Sequence, residues 1–417
     1  MVTAMSDTLF VQFYNQTRSG WYDLSNGFSD TWDLCRQRGD FWWVKHLPEH
    51  RDWYDSSAYS PLPLPIDRGR VYISASYVNH LYQAWLWARE YPEITFLVGG
   101  PVASERSGPA DTWNSVHFKV EGELPPNLKM TGRSLEQVMG VPEFSGQWKL
   151  EIPEDIPRDS RVYFSYTLEN HCYWKKCPFC SIAQHSQADY RHRKELGLEF
   201  RDLAYPGHKI VRLNTGSMTP EHVRAILPRL PVREDMEYRF FMRAAPAETR
   251  ALKEVAQNFG EQIPTCTLGF GIEFPSDRMW KYLDKGTCMQ GVIENLQTCT
   301  AIGFRVNANM ILGWNNLTPA DLRDLEKFMD AFSADTVTSL QLRWLFAHPY
   351  TPIHENYDGV EDSIRLGPFN CGFNVRVNAE QKALNREAAL IIRNKCAEKG
   401  VKLEGFGNLT KGNLDGN

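Results

Sequence analysis

The chain has no run of about 18 apolar residues, the length a membrane-spanning helix needs, so no membrane span is expected. Its first residues, Met1 to Asp7, lack the basic and apolar regions of a secretory signal peptide. It also has little excess charge: a net −5 over 417 residues argues against a broad nucleic-acid-binding face. A short basic run, Arg191 to Lys194, reads as a solvated helix face or a local patch. The nine cysteines show no disulfide framework. Together these absences lead to the expectation of a cytoplasmic protein with no membrane and no nucleic acid among its partners.

The length allows two or three domains. With 42% hydrophobic and 23% charged residues, the composition is that of an ordinary globular protein. Thirteen tryptophans is high, and most precede residue 175, Trp42, Trp43, Trp85 and Trp87 among them. They suit core packing, and an aromatic-lined cofactor face would look similar.

Three cysteines stand apart from the rest. Cys172, Cys177 and Cys180 are spaced C-x4-C-x2-C. Three thiolates on one loop can hold three irons of a cubane cluster and leave the fourth iron open to a small molecule. Zinc is an alternative, but a structural zinc site wants four ligands, and His171 is awkwardly placed beside Cys172. Unrelated thiols are a third reading. Cys266, Cys288, Cys299, Cys371 and Cys396 have no paired spacing and read as buried thiols.

The pattern of elements is α/β. Residues 9–14, 70–76 and 94–98 read as strands, with a helix over 77–90 whose apolar face is Leu81, Ala84, Trp85 and Ala88. The last of these strands ends on Gly99 and Gly100, where the backbone can approach a ligand or simply turn tightly. The stretch from 15 to 65 reads as irregular and Trp-rich. From 161 onward strands and helices alternate: strands at 162–168, 209–214, 238–242, 267–273, 304–313 and 339–345, and a last helix over 379–399. Six βα units predict a partial or complete parallel barrel, with its chemistry at the carboxyl ends of the strands. Those ends carry Cys172, Asn214 to Gly216, Arg243, Glu273 and Gly313.

A cysteine loop after the first strand of such a barrel resembles the radical S-adenosylmethionine superfamily. The usual spacing there is C-x3-C-x2-C, so this chain has one extra residue in the first gap. The second half, Cys177 to Ser181 with Phe179 before the last cysteine, is typical of the family. Ile272 to Phe274, Ser276 to Met279, Leu283 to Gly286 and Asn309 to Gly313 are similar to the branch that carries a cobalamin-binding domain. Val71 to Ser76, the 77–90 helix and Phe96 to Ser104 resemble the later half of that domain, although its D-x-H-x-x-G motif is absent.

The resemblance implies a partial (β/α)6 TIM-like barrel preceded by a Rossmann-like, cobalamin-binding-type α/β domain. The expected division is 1–158 for the N-terminal domain, 159–350 for the barrel and 351–417 for a C-terminal helical extension and tail. It implies a [4Fe-4S] cluster on the three cysteines and S-adenosylmethionine on its open iron. Reductive cleavage of the sulfonium would give a radical that abstracts hydrogen. An electron donor such as flavodoxin or ferredoxin would supply the cluster, and the substrate would be a small molecule or peptide.

Asn214, Thr215 and Gly216 sit where the family meets the methionine amine; a plain turn is the other reading. Arg243 is a candidate for the methionine carboxylate or for an internal salt bridge. Glu273 is a candidate for the ribose or amine, or for a pair with Lys285. Asn307 and Asn309 share one strand face near the expected adenosine, and Gly313 would let the backbone meet adenine. Gly99 and Gly100 would face cobalamin. His348, Tyr350 and His354 follow the sixth strand as weaker candidates for the substrate side. Two outcomes follow the radical step: methyl transfer from cobalamin, or cyclisation, rearrangement or sulfur insertion without it. A non-catalytic iron–sulfur or zinc protein is the reading outside the enzyme class.

Overall fold

The computed structural model describes residues 8–16, 21–24, 28–29, 40–45, 62–64, 69–75, 77–100, 102, 118–130, 149–150, 152–167, 172–184, 205–257, 259, 263–356 and 363–405. His171 and the Arg191–Lys194 run lie outside them.

The N-terminal unit contains β1 (Thr8–Gln16), β2 (Tyr22–Leu24), β3 (Asp40–Lys45), β4 (Arg70–Ser74), α1 (Val78–Glu90), β5 (Thr95–Gly99) and β6 (Leu128–Met130). Apart from β2 these strands are parallel, in the spatial order β3-β1-β4-β5-β6. That order is doubly wound, and its ligand crevice lies where the order reverses, at the carboxyl ends of β1 and β4. Leu9, Val11 and Phe13 alternate with Phe10 and Tyr14, and all are buried, as expected for a strand covered on both faces. α1 sends Leu81, Ala84, Trp87 and Ala88 into the core, and Trp87 donates to the Leu62 carbonyl at 2.6 Å.

One expectation fails here. Within 15–65, the segment Asp40–Lys45 is not irregular: it pairs with β1 over six residues. Its β-branched and aromatic residues suit a sheet, but its partner lies about 30 residues away in a stretch of loop-like composition.

The barrel strands follow in chain order: β7 (Val162–Thr167), β8 (Lys209–Asn214), α2 (Pro220–Ile226), β9 (Met236–Met242), α3 (Pro246–Ala256), β10 (Cys266–Glu273), α4 (Asp277–Tyr282), α5 (Met289–Ile302), β11 (Arg305–Leu312), α6 (Pro319–Asp330) and β12 (Ser339–Trp344). The six strands pair in parallel, each with the next. Val211, Leu213, Tyr238, Phe240, Leu268, Phe270, Val306 and Ala308 face the helices in one apolar core. The alternate residues line the inner face. Thr219 and Thr318 cap α2 and α6, each with proline at the first helical turn, as their sequences predict.

The barrel is partial. β2 pairs with β7 at one edge and turns back antiparallel onto β1, so both units share one 13-stranded sheet. After α7 (Pro352–Glu355) the chain forms a hairpin, β13 (Ile364–Leu366) and β14 (Phe369–Asn374), then α8 (Ala379–Glu398) and β15 (Lys402–Glu404). The extension is therefore more than helix and tail. The hairpin pairs with Lys119 and Val120 and buries Phe369 in the N-terminal core. Arg365 reaches Glu121 at 2.7 Å, and β15 joins the far barrel edge beside β12. Among the described residues, no helix is long and apolar enough to cross a membrane.

Candidate functional site

The cysteine loop lies across the carboxyl end of the barrel. Cys172 forms a parallel bridge with Ser217, in the turn after β8. Gly216 makes that approach possible: a Cβ there would sit 2.7 Å from the Cβ of Cys172 and 3.0 Å from its Cα and nitrogen. A tight turn follows, with the Cys180 amide donating to the Cys177 carbonyl at 3.2 Å and the Ala183 amide to the Cys180 carbonyl at 3.2 Å.

All three thiols are free and half-buried. Burial pushes the Cys180 thiol up to about 11 and raises Cys177 too, with Lys285 pulling Cys177 back. The thiols sense one another's charge, so they share one neighbourhood. Among the described residues, no group of three or more His, Cys, Asp or Glu side chains is placed to hold a single metal ion. A cubane does not need that convergence, because each thiolate takes a different iron.

Two side chains in the first cysteine gap anchor the loop. The Arg243 guanidinium lies 3.5 Å from the centroid of the Trp174 ring, and Trp174 Nε1 donates to the Asp284 carbonyl at 2.5 Å. Gly286 allows this packing, since a Cβ would fall 2.5 Å from the Trp174 ring. Tyr173 donates to Glu248, and Arg243 donates to the Tyr173 hydroxyl at 3.1 Å and to the Lys285 carbonyl at 2.7 Å. Burial lifts the Glu248 carboxyl to about 7, while Arg243 sits 3.4 Å from it. The longer gap is turned by Lys175, whose φ is +53°. The residue added relative to the usual spacing thus belongs to a segment that carries its own anchor.

The ends of β10 and β11 complete the face. Glu273 has φ +61° at a register shift in β10, and it accepts from Lys285 Nζ at 2.9 Å. Burial works to discharge Lys285, but Glu273 and Cys177 outweigh it and hold its pKa above the ordinary value. Asn307 and Asn309 lie on the inner face of β11, and the Asn307 Oδ1 is buried without a hydrogen-bond partner. Gly313 has φ +93° and packs against Trp344, while its amide donates to Asn385 at 2.7 Å. Beside it, a cavity of about 470 Å³ is lined by Pro178, Trp314, Leu345, Ile353, Val375 and Tyr282.

The sequence-predicted residues therefore fall into groups. Cys172, Cys177, Cys180, Thr215, Gly216, Arg243 and Glu273 gather at the cysteine loop. Thr215 Oγ1 donates to the Ser217 carbonyl at 3.3 Å; the Asn214 backbone ends β8, and its side chain is outside the described residues. Arg243 and Glu273 both have protein partners. His348 is enclosed against Phe346, and burial lowers it to about 4. Tyr350 has φ +62° in the turn before α7, and His354 packs on Phe373. Gly99 and Gly100 lie at the end of β5 in the N-terminal unit; a Cβ at Gly100 would fall 2.7 Å from the Ala75 carbonyl oxygen.

The structure adds Trp174, Ser217 and Arg212 to the residues that the sequence singled out. Ser217 Oγ, Arg243 Nε and Arg212 Nε are buried and have no hydrogen-bond partner. Such atoms are rare, and these are available to a polar ligand or to water. Of these, Arg212 lies on a strand, and its register in β8 is what places it on the inner face.

No family model matches the chain, and no curated protein matches it in sequence. Its fold, however, recurs in solved structures. One is the radical S-adenosylmethionine methyltransferase TsrM from Kitasatospora setae with cobalamin and a [4Fe-4S] cluster bound: TM-score 0.52, 13% identity, covering 86% of this chain and 80% of that one. The same enzyme with tryptophan substrate and a SAM analogue gives TM-score 0.52 at 14% identity, covering 86% and 78%. The cobalamin-dependent S-adenosylmethionine radical enzyme OxsB, with aqua-cobalamin and S-adenosylmethionine, gives TM-score 0.51 at 13% identity, covering 93% and 66%. This chain thus has the fold of cobalamin-dependent radical S-adenosylmethionine enzymes, a doubly wound α/β unit joined to a partial (β/α)6 barrel.

Proposed function

We propose that the protein is a radical S-adenosylmethionine enzyme and, within that class, a cobalamin-dependent methyltransferase acting on an unactivated carbon. The observation that carries the reading is the C-x4-C-x2-C loop held over the carboxyl end of the barrel, beside buried polar atoms that have no protein partner. Cys172, Cys177 and Cys180 would hold a [4Fe-4S] cluster. Bound there, the cluster would supply an electron to cleave the sulfonium, and cobalamin would supply a transferable methyl group.

The chain's own residues do the rest. Ser217 and Asn307 offer unpaired oxygens to a polar ligand at the mouth. The cavity beside Pro178 and Trp314 mixes apolar walls with Asn315, Asn316 and Asn356, and is large enough for a nucleoside. Lys285 and Glu273 place a charge pair beside Cys177. Trp174 and Arg243 shield the loop from water. Cobalamin would occupy the crevice at the carboxyl ends of β1 and β4, where Gln12 is fully buried and its Oε1 lacks a partner.

A second reading, radical chemistry without cobalamin, is favoured by the absent D-x-H-x-x-G motif and by Gly100, which is occupied in packing on Ala75. Iron and cobalt content decides between the two. The protein is purified without oxygen from cells supplied with cobalamin. About four irons and one cobalt per chain, with cleavage of S-adenosylmethionine on reduction, support the methyltransferase. Iron without cobalt supports the second reading. Zinc in place of iron after cluster reconstitution overturns both.

A further inference from the structure

The inner face of the barrel carries a second set of polar groups below the cysteine loop. The register sets Arg212, Arg239, Thr267 and Arg305 level across β8 to β11. One row nearer the mouth lie Phe241, Gly269, Asn307 and Ser339. Glu237 is shared within the lower row: Arg239 donates to it at 2.7 Å, Thr267 at 2.9 Å, and Arg305 lies 3.9 Å away.

Arg212 stands outside that arrangement. Its guanidinium hydrogen-bonds Tyr163 and lies 5.3 Å from the Phe241 ring centroid, but its Nε is buried and makes no hydrogen bond. Phe241 is 37% exposed, unusual for a phenylalanine on a barrel strand. Its ring lies against Gly269, where a Cβ would come within 2.6 Å of it. A guanidinium with an unused donor prefers a planar anion, and an exposed ring beside it offers a stacking surface.

We propose that this trough is the substrate site and that the substrate is a planar aromatic carboxylate, its carboxylate on Arg212 and its ring on Phe241. This rests on reading the barrel mouth as the cofactor side of a radical enzyme. Phe241 lies one row and Arg212 two rows deeper than Arg243, so the site is separate from the cysteine loop.

The test uses the full-length protein after cluster reconstitution, titrated by calorimetry with 2-naphthoate and its neutral isostere 2-naphthamide. The carboxylate should bind at least about tenfold more tightly than the amide, the difference one charge-assisted hydrogen bond makes. Arg212→Gln should abolish that preference, Arg212→Lys should keep part of it, and Phe241→Ala should weaken both ligands alike. Circular dichroism confirms that each variant is folded. Equal binding of the two ligands, no binding of either, or an unchanged preference in Arg212→Gln overturns the proposal. Competition by S-adenosylmethionine overturns it too, since Arg212 would then serve the cofactor. Iron content on the same samples keeps the two readings distinct: naphthoate preference without iron sinks the radical enzyme and leaves the anion site standing.

Discussion

Replacing Gly216 with alanine tests how the cysteine loop is seated. The added Cβ would meet Cys172 at 2.7 Å, and ordinary contact begins at 3.4 Å, so the loop must retreat by about 0.7 Å. Its other close neighbours are the Cα and nitrogen of Cys172, both at 3.0 Å, so no side-chain rotation relieves the clash. Overpacking of this kind costs about 1–3 kcal/mol. It also pulls Cys172 from its bridge to Ser217, moving one thiol relative to the other two. Gly216→Ala should therefore lower both the urea midpoint and the iron retained after reconstitution. Gly303→Ala is the control: Gly303 ends α5 at φ +91° with nothing within 4 Å of its missing Cβ. It should lose about 1 kcal/mol of stability and no iron. Gly216→Ala with full iron and an unchanged midpoint would refute the seating argument.

Trp174→Ala should shorten the time the reconstituted protein holds its iron under a chelator, with circular dichroism unchanged. Trp174→Phe, which keeps a ring under Arg243 but not the bond to Asp284, should fall between it and the parent. Lys209 is fully buried, with Nζ at 2.6 Å from Asp235, 2.6 Å from the Tyr205 carbonyl and 2.9 Å from that of Gly207. Lys209→Met should cost about 1–3 kcal/mol in urea unfolding, because it strands the two carbonyl acceptors while Asp235, a third exposed, keeps Arg233; no measurable loss would show that water satisfies those carbonyls. Burial lowers His348 to about 4, so the unfolded chain takes up a proton near 6.5 while the folded one resists. The His348 contribution is complete above pH 6.5 and is lost as the pH falls towards 4, up to about 3 kcal/mol. His348→Phe should flatten the acid side of the stability profile, and an unchanged slope between pH 4 and 6.5 would count against the buried neutral imidazole.

The barrel was legible because its strands bury one apolar face against helices, three of which begin with proline. β8 matches its expected bounds of 209–214, and β10 begins one residue before the expected 267. β2, β3 and the hairpin were not legible. A strand of three residues, such as Tyr22–Leu24, carries no periodicity, and one of its two partners lies in the other unit. The hairpin bends at Gly367 and is irregular at Ile364, so alternation breaks where it would have been read. At the site, the cysteines announced themselves by spacing. Arg212 did not, because one arginine in Lys209–Asn214 looks like any charged strand residue until register shows which face it occupies.

The hairpin places late-made residues inside the earliest-made part of the protein. Phe369 completes a core begun at Leu9, and β15 extends the barrel sheet beyond β12. During synthesis the N-terminal unit must wait for more than 200 further residues before Phe369 reaches it. Contacts so distant along the chain form slowly, and the open core is exposed to aggregation meanwhile. Nascent chains halted before residue 369 should therefore depend on chaperones more than the released protein does.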